Sequence, residues 1–321
     1  MKVQIPNELK SDVPQTTFGK ILAATPVVMA VVATMLAGLA SSEMTRAQYD
    51  RSLGAQQQSK AGDQWSFFQA KRMRGAFQRN TAELLQAVSE VHPLNPSTLK
   101  KWAEKAQPKL VALLVSRPGK EAIDFLQRGE VPPTGAATVP DQKLKAALDG
   151  LENLKVDSEM AGLLAPIDNT ALEAAVRAAR DQSQAFDEAT KPINQTIDQM
   201  DALVTSAAAI PVGAGAATGP SPRRDFTIAR LRYTAARYEV EARLNQAIAN
   251  LYELQVRKSN FSAERHHARS QKFFFGMLGA QFGVIISTFA MAARNRNLLW
   301  SLAAAAGVLA TAFAIYVYLY V

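Results

Sequence analysis

Three uncharged apolar runs limit this chain more than any other feature. Residues 21–42 read ILAATPVVMAVVATMLAGLASS, with no charge between Lys20 and Glu43. Residues 273–293 read FFFGMLGAQFGVIISTFAMAA, and residues 298–321 read LLWSLAAAAGVLATAFAIYVYLYV. As a helix, each is long enough to cross a bilayer core of about 30 Å. The four residues RNRN at 294–297 join the last two so tightly that they are expected to form a membrane hairpin. Trp300 at one end of the last run, and Tyr316, Tyr318 and Tyr320 at the other, stand where interfacial aromatics belong. Two rival readings stay open. A soluble core could bury the hairpin, and ASS at 40–42 could mark signal-peptide cleavage. Against cleavage, Lys2, Lys10 and Lys20 are mixed with Glu8 and Asp12, and the apolar core exceeds a usual signal peptide.

The runs carry small residues four apart. Gly279, Gly283 and Ser287 form one such line, Ala303, Gly307 and Thr311 another, and Ala33, Ala37 and Ser41 a third. Small residues at this spacing let helix backbones approach in lipid, where packing replaces the hydrophobic effect. Gly279 with Gly283 is the sharper signal, for the hairpin itself or for oligomerisation. Gln281, the one amide within the runs, is expected to bond a neighbouring helix.

On this reading the chain has an N-terminal tail (1–20), a first span (21–42), an extramembrane region (43–272), a second span (273–293), a basic turn (294–297) and a third span (298–321). The tail and turn share a side. If both are cytoplasmic, the middle region lies outside. Arg265, Arg269 and Lys272 crowd the start of the second span and pull the other way, reading as lipid-headgroup or topology signals together with Arg294 and Arg296.

The middle region reads as helical throughout. No proline occurs from Ser41 to Val91, and Trp65, Phe68, Met73, Phe77, Leu84, Val88 and Val91 recur at helical steps, which predicts one long helix packing through that stripe. His92-Pro93 ends it and Asn95-Pro96 starts the next, with a kink expected at Pro108 and a short helix near 119–129. A helical stretch is expected around 141–156. Thr170 with Glu173 reads as a capping box opening a helix interrupted near Pro192. VPPTGAATVP (131–140) and IPVGAGAATGPSP (210–222) read as flexible linkers. Pro222 opens a last helix with a seam at Tyr233, Val240, Leu244, Ala247, Leu251 and Leu254, and no breaker separates it from the second span. The expected fold is all-α: an integral membrane protein with three transmembrane helices and an elongated helical bundle, an antiparallel coiled-coil-like stalk.

Chemistry is scarce. The chain has no cysteine, so thiolate metal sites, disulfides and cysteine nucleophiles are excluded. His266 and His267 are adjacent, hence about 100° apart on a helix, and read as a solvated collar rather than as metal ligands. GAGAATG at 213–219 lacks the lysine of a phosphate loop, and no nucleophile or zinc motif occurs. No catalytic set, metal or cofactor is expected. The net charge of +8 would suit nucleic acid, but no nucleic-acid motif accompanies the basic segments, and the one from Arg257 to Lys272 lies beside an apolar run.

The densest stretch is AGDQWSFFQAK at 61–71. It resembles the S-D-Q-W-x-[YF]-[YF]-Q-A-K motif of an uncharacterised bacterial family of three-span membrane proteins. The matching residues are Asp63-Gln64-Trp65 and Phe67-Phe68-Gln69-Ala70-Lys71. The likeness extends to His266/His267 ahead of the second span and to Arg294/Arg296 before Trp300. Gly62 stands where the motif has serine, and residues 95–222 look like an extension. The resemblance implies topology and a bacterial inner membrane, and no activity. Trp65 and Phe68 are expected to meet the returning helix near Leu251 or Tyr252, with Phe67 on a further helix or another subunit.

The function expected from these features is non-enzymatic: a membrane scaffold or accessory subunit, in contact with lipid, self-associating or attached to other membrane subunits. A sensor or a channel component is the alternative.

Overall fold

The computed structural model describes residues 17–134, 141–207, 221–293 and 296–320. Most of the N-terminal tail, most of both linker segments, and Arg294 lie outside the described residues. Among those described, every regular element is a helix. In order they are α1 (Thr17–Val88), α2 (Pro96–Ala106), α3 (Pro108–Val115), α4 (Arg117–Arg128), α5 (Gln142–Glu152), α6 (Asp157–Leu164), α7 (Asn169–Ala207), α8 (Pro222–Ala292) and α9 (Arg296–Tyr320). Helices α1, α8 and α9 are each long and apolar enough in part to cross a membrane. The chain divides into two compact units, Met1–Ala55 with Arg257–Val321, and Gln56–Val256.

Helix α1 runs unbroken for 72 residues, through Pro26. Its buried side is not the apolar stripe expected from the sequence. Met73, Phe77, Leu84 and Val88 of that stripe are 74%, 67%, 64% and 68% exposed. The packed seam lies on the other side, and every seventh residue of it is small: Ala33, Ala40, Ala47, Gly54, Ala61, Gly75 and Ala82, with Phe68 filling the one remaining place in the series. Between them come Met29 and Leu36, then a polar series of Glu43, Asp50, Gln57, Gln64, Lys71 and Gln78, and then Leu85. This is the 3.5-residue spacing of a coiled-coil seam, with one position reduced to Ala or Gly so that two backbones can come close.

In the unit holding both chain ends, the seam meets α8 and α9. Phe273, Gly276, Ala280, Gly283, Ser287 and Ala290 are buried along α8, and Ala303, Gly307, Ala310 and Val317 along α9, again at alternating steps of four and three. Met29 is the knob at the centre. A Cβ on Gly283 would collide with its methyl group and one on Gly307 with its sulfur. The Trp300 indole N–H donates to Thr25 Oγ1 over 2.9 Å, tying α9 to α1.

The second unit is built on the start of α8. Phe226, Ala229 and Tyr233 share one core with Leu99, Leu110, Ile123 and Leu126 of α2–α4 and Ile197, Met200 and Val204 of α7. Ile228 and Leu231 pack on Ala82 of α1. The chain leaving α1 is held there: His92 N donates to Asp225 at 2.9 Å, and Arg224 donates to the Glu90 carbonyl at 3.1 Å. Pro108 produces a break, not a kink, because Gln107 leaves helical geometry at φ −155° and ψ 90° and accordingly caps α2. Ser116 caps α4 by accepting from Gly119 N at 3.1 Å, and Gly129 ends that helix in the left-handed region at φ 63°. Only glycine fits at 119, since a Cβ there would run into the Leu113 carbonyl.

Two further expectations change. Helix α7 passes through Pro192 without interruption, because Ile193, Thr196, Ile197 and Met200 bury its inner face and outweigh the one missing hydrogen bond. It also starts at Asn169, which puts Thr170 inside the first turn and not at the cap. The seam foreseen on α8 is buried at Tyr233, Leu244, Leu251 and Leu254, whereas Ala247 is exposed.

Candidate functional site

The motif stretch 61–71 lies wholly within α1, and the seam accounts for part of it. Ala61, Gln64, Phe68 and Lys71 fall on the packed side at three- and four-residue steps. Lys71 bonds the carboxylate of Glu241, which is buried on α8, and Arg237 reaches the same carboxylate at 3.3 Å. Both cations also stand over the Tyr238 ring, at 5.4 Å for Lys71 and 4.8 Å for Arg237. Gly75, one turn on, leaves room for this group, since a Cβ there would be 3.3 Å from Tyr238 Cβ. One carboxylate shared by two cations is a lock between helices. Removing either partner from such a buried pair costs several kcal/mol, about 3 by general experience, less here because Lys71 is partly exposed.

Phe67, 54% exposed, lies one turn before Lys71 on α1. It borders a shallow polar cleft of about 360 Å³ with Arg180, Gln184 and Asp187 of α7 and Asn245 of α8. Desolvation pushes the Asp187 carboxyl above the usual aspartate range; Glu241 adds to this, while Lys71 and Arg237 oppose it. Gln64 Oε1 is buried beside the cleft without a hydrogen-bond donor. Trp65 and Phe68 form an edge-to-face pair with centroids 5.5 Å apart at 82°. Tyr252 is buried, and its ring carries Lys60 at 6.0 Å.

In the unit of the chain ends, the polar seam positions Glu43 and Asp50 meet His266. His266 is no solvated collar: its Nδ1 lies 2.6 Å from Glu43 Oε2 and its Nε2 4.0 Å from Asp50 Oδ2, with side chains 19%, 12% and 19% exposed. Arg46 holds Glu43 from outside at 3.4 Å. A turn further along, Ser270 donates to the Ala40 carbonyl at 2.7 Å. His267 points elsewhere. Its Nε2 meets the Gln271 amide at 3.1 Å, and its Nδ1 is buried without a partner. Among the described residues no group of histidines and carboxylates has the arrangement of a metal site.

Of the small residues foreseen as contacts, Gly283, Ser287, Ala303 and Gly307 come together in the apolar seam, where the Gly283 Cβ position is 3.4 Å from the Ala303 carbonyl. Gly279 and Thr311 fall beside it. The helical phase drifts against a strict four-residue step, so Gly276, Ala280 and Ala310 take the buried places. Gln281 is exposed on α8, away from the seam expected to bond it. Arg265 is exposed, Arg269 and Lys272 are half-buried, and Arg296 opens α9.

Residues 18–113 match a family described as a domain of unknown function (DUF4337). The matched stretch takes in the first apolar run and the motif. It also reaches α2 and most of α3, within the segment that had looked like an extension, and it stops well before the C-terminal hairpin. No curated protein and no solved structure matches the chain.

Proposed function

We propose that this protein is a non-enzymatic membrane scaffold or accessory subunit of a bacterial inner membrane, anchored by three transmembrane segments and acting by assembly. The observation that supports this reading is the apolar stripe on α1. Met73, Phe77, Leu84 and Val88 are large, exposed and aligned at steps of four and seven, about 180° around the helix from the seam that α8 covers. A helix needs one apolar side to pack on its neighbour; a second is a surface for another protein, a further copy or another membrane subunit. The interhelical contacts of the motif, a lock and not a reactive group, agree with a structural role. The charge count on the flanking loops favours placing residues 43–272 on the periplasmic side.

The test is crosslinking in native membranes followed by mass spectrometry, comparing the wild type with Phe77→Ser/Leu84→Ser. Both side chains are exposed, so the variant should fold with unchanged helicity while its crosslinked assemblies disappear. A wild-type protein that is strictly monomeric and without partners would sink the reading.

A further inference from the structure

Helix α1 carries a second seam outside the packed one. Ala70, Met73, Phe77, Asn80, Leu84 and Ala87 follow one another at alternating steps of three and four, and all six are exposed. Each lies two places after a residue of the packed side, as Phe77 does after Gly75 and Leu84 after Ala82, and so about 200° around the helix from it. This spacing is that of a coiled-coil seam, so the face is shaped for another helix.

The residues along the row specify that helix. Asn80 stands in the middle of five apolar residues. Against an apolar side chain its amide would lose water without gaining a partner, which is costly. Against a second Asn80 it gains one, because an amide both donates and accepts. A single asparagine in an apolar seam is a known device for fixing register and the number of helices. Orientation follows from the same residue. In an antiparallel pair the first heptad position of one helix layers with the fourth of the other, which sets Asn80 against Phe77 or Leu84. In a parallel pair in register, each residue meets its own counterpart. The flanks agree. The edge pairs of such a dimer are Gln69 with Arg74, Ala76 with Thr81 and Glu83 with Val88, so no like charges meet. Two of the remaining bases, Lys71 and Arg79, are engaged by Glu241 and Glu239 of α8.

We propose that this face pairs α1 with α1 of a second copy of this chain, parallel and in register, with Asn80 against its counterpart. The inference rests on the proposed function and names its partner. Copies anchored in one membrane by the same apolar run carry this helix in the same direction, as the pairing requires.

The chain has no cysteine, so single introduced cysteines report contacts directly. The full-length protein is oxidised in native membranes as Met73→Cys, Ala87→Cys and Gln86→Cys. The first two are expected to form a disulfide-linked homodimer, and Gln86→Cys, one position off the row, is not. In an antiparallel pair the cysteines at 73 or at 87 would lie more than two turns of helix from their counterparts, and neither variant would link. Asn80→Asp and Asn80→Lys should each weaken the dimer in mild detergent about tenfold by like-charge repulsion, read by mass photometry, and coexpression of the two should restore it. Asn80 is exposed, so both variants should keep the wild-type helicity. Equal linkage at 86 and 87 would mean random collision and overturn the proposal. A dimer unchanged in both Asn80 variants would overturn the register. Failure to link at 73 and 87, in a protein that still crosslinks to other membrane proteins, would overturn this pairing and leave the assembly reading standing. A protein that is monomeric by every measure would defeat both.

Discussion

A few polar side chains are drawn into the helix cores, among them Tyr233. Tyr233 is a buried phenol in the core of the second unit, and its hydroxyl donates to Asn194 at 3.1 Å. Burial, more than any neighbour, pushes its pKa from 10.0 up to about 12; Arg237 pulls the other way, and Glu241 and Asp198 add to the rise. An acid with a raised folded pKa favours the folded state while it stays protonated. The unfolded chain ionises first, so this contribution is complete below pH 10 and is lost between pH 10 and about 12. Alkaline unfolding followed by circular dichroism should therefore fall less steeply in Tyr233→Phe than in the wild type across that window. Equal slopes would show that the phenol is not shielded as the structure implies. The motif lysine belongs to the same network. Its spacing in the sequence identified a helix joint, but not its partner: Glu241 lies 170 positions away, and nothing local distinguishes it from the solvated carboxylates of α8.

At the level of helices, small residues decide the packing. The Gly283 Cβ position is occupied by the Met29 methyl group and is 3.4 Å from the Ala303 carbonyl, whereas at Gly279 a Cβ meets only Ala310 Cβ at 4.0 Å, an ordinary contact. Gly283→Leu should lower stability in detergent by about 1–3 kcal/mol, the usual range for overpacking, read as a fall in melting temperature. Gly279→Ala should be neutral or stabilising by up to about 1 kcal/mol, through helix propensity. If the two variants behaved alike, the seam would be misplaced. This contrast also shows what the sequence could deliver. The three long apolar helices were legible because uncharged runs of that length have few alternatives. The face of α1 was not. Large apolar residues at helical steps normally mark the buried side, and here they mark the exposed one. The true seam is written in Ala and Gly at every seventh place, a weak contrast in a chain rich in alanine, interleaved with Glu43, Asp50 and Lys71, which look solvated until their partners on α8 are known. Two adjacent histidines read as one collar, yet they turn to different sides of α8 and do different things.

For the molecule as a whole, the division at residues 55/56 and 256/257 makes a claim that can be separated from lipid. The unit Gln56–Val256 has its own core, from Leu99 to Tyr233, its own ion-pair lock at Glu241 and its own helix ends held by Asp225. A region with its own core and few dependencies outside it can fold alone. Residues 56–256 expressed as a soluble fragment should therefore be helical and melt cooperatively; a gradual, non-cooperative loss of helix would show that the unit depends on the rest of the chain. The same fragment keeps Met73, Phe77, Leu84 and Val88 exposed, with no lipid or detergent to cover them. If the stripe is a self-association surface, the fragment should sediment as an oligomer, and Phe77→Ser/Leu84→Ser should return it to a monomer with an unchanged spectrum. If the fragment is monomeric from the start while the full chain still crosslinks to other membrane proteins, the stripe serves a different subunit. Assembly would then be a property of the complex and not of this chain alone.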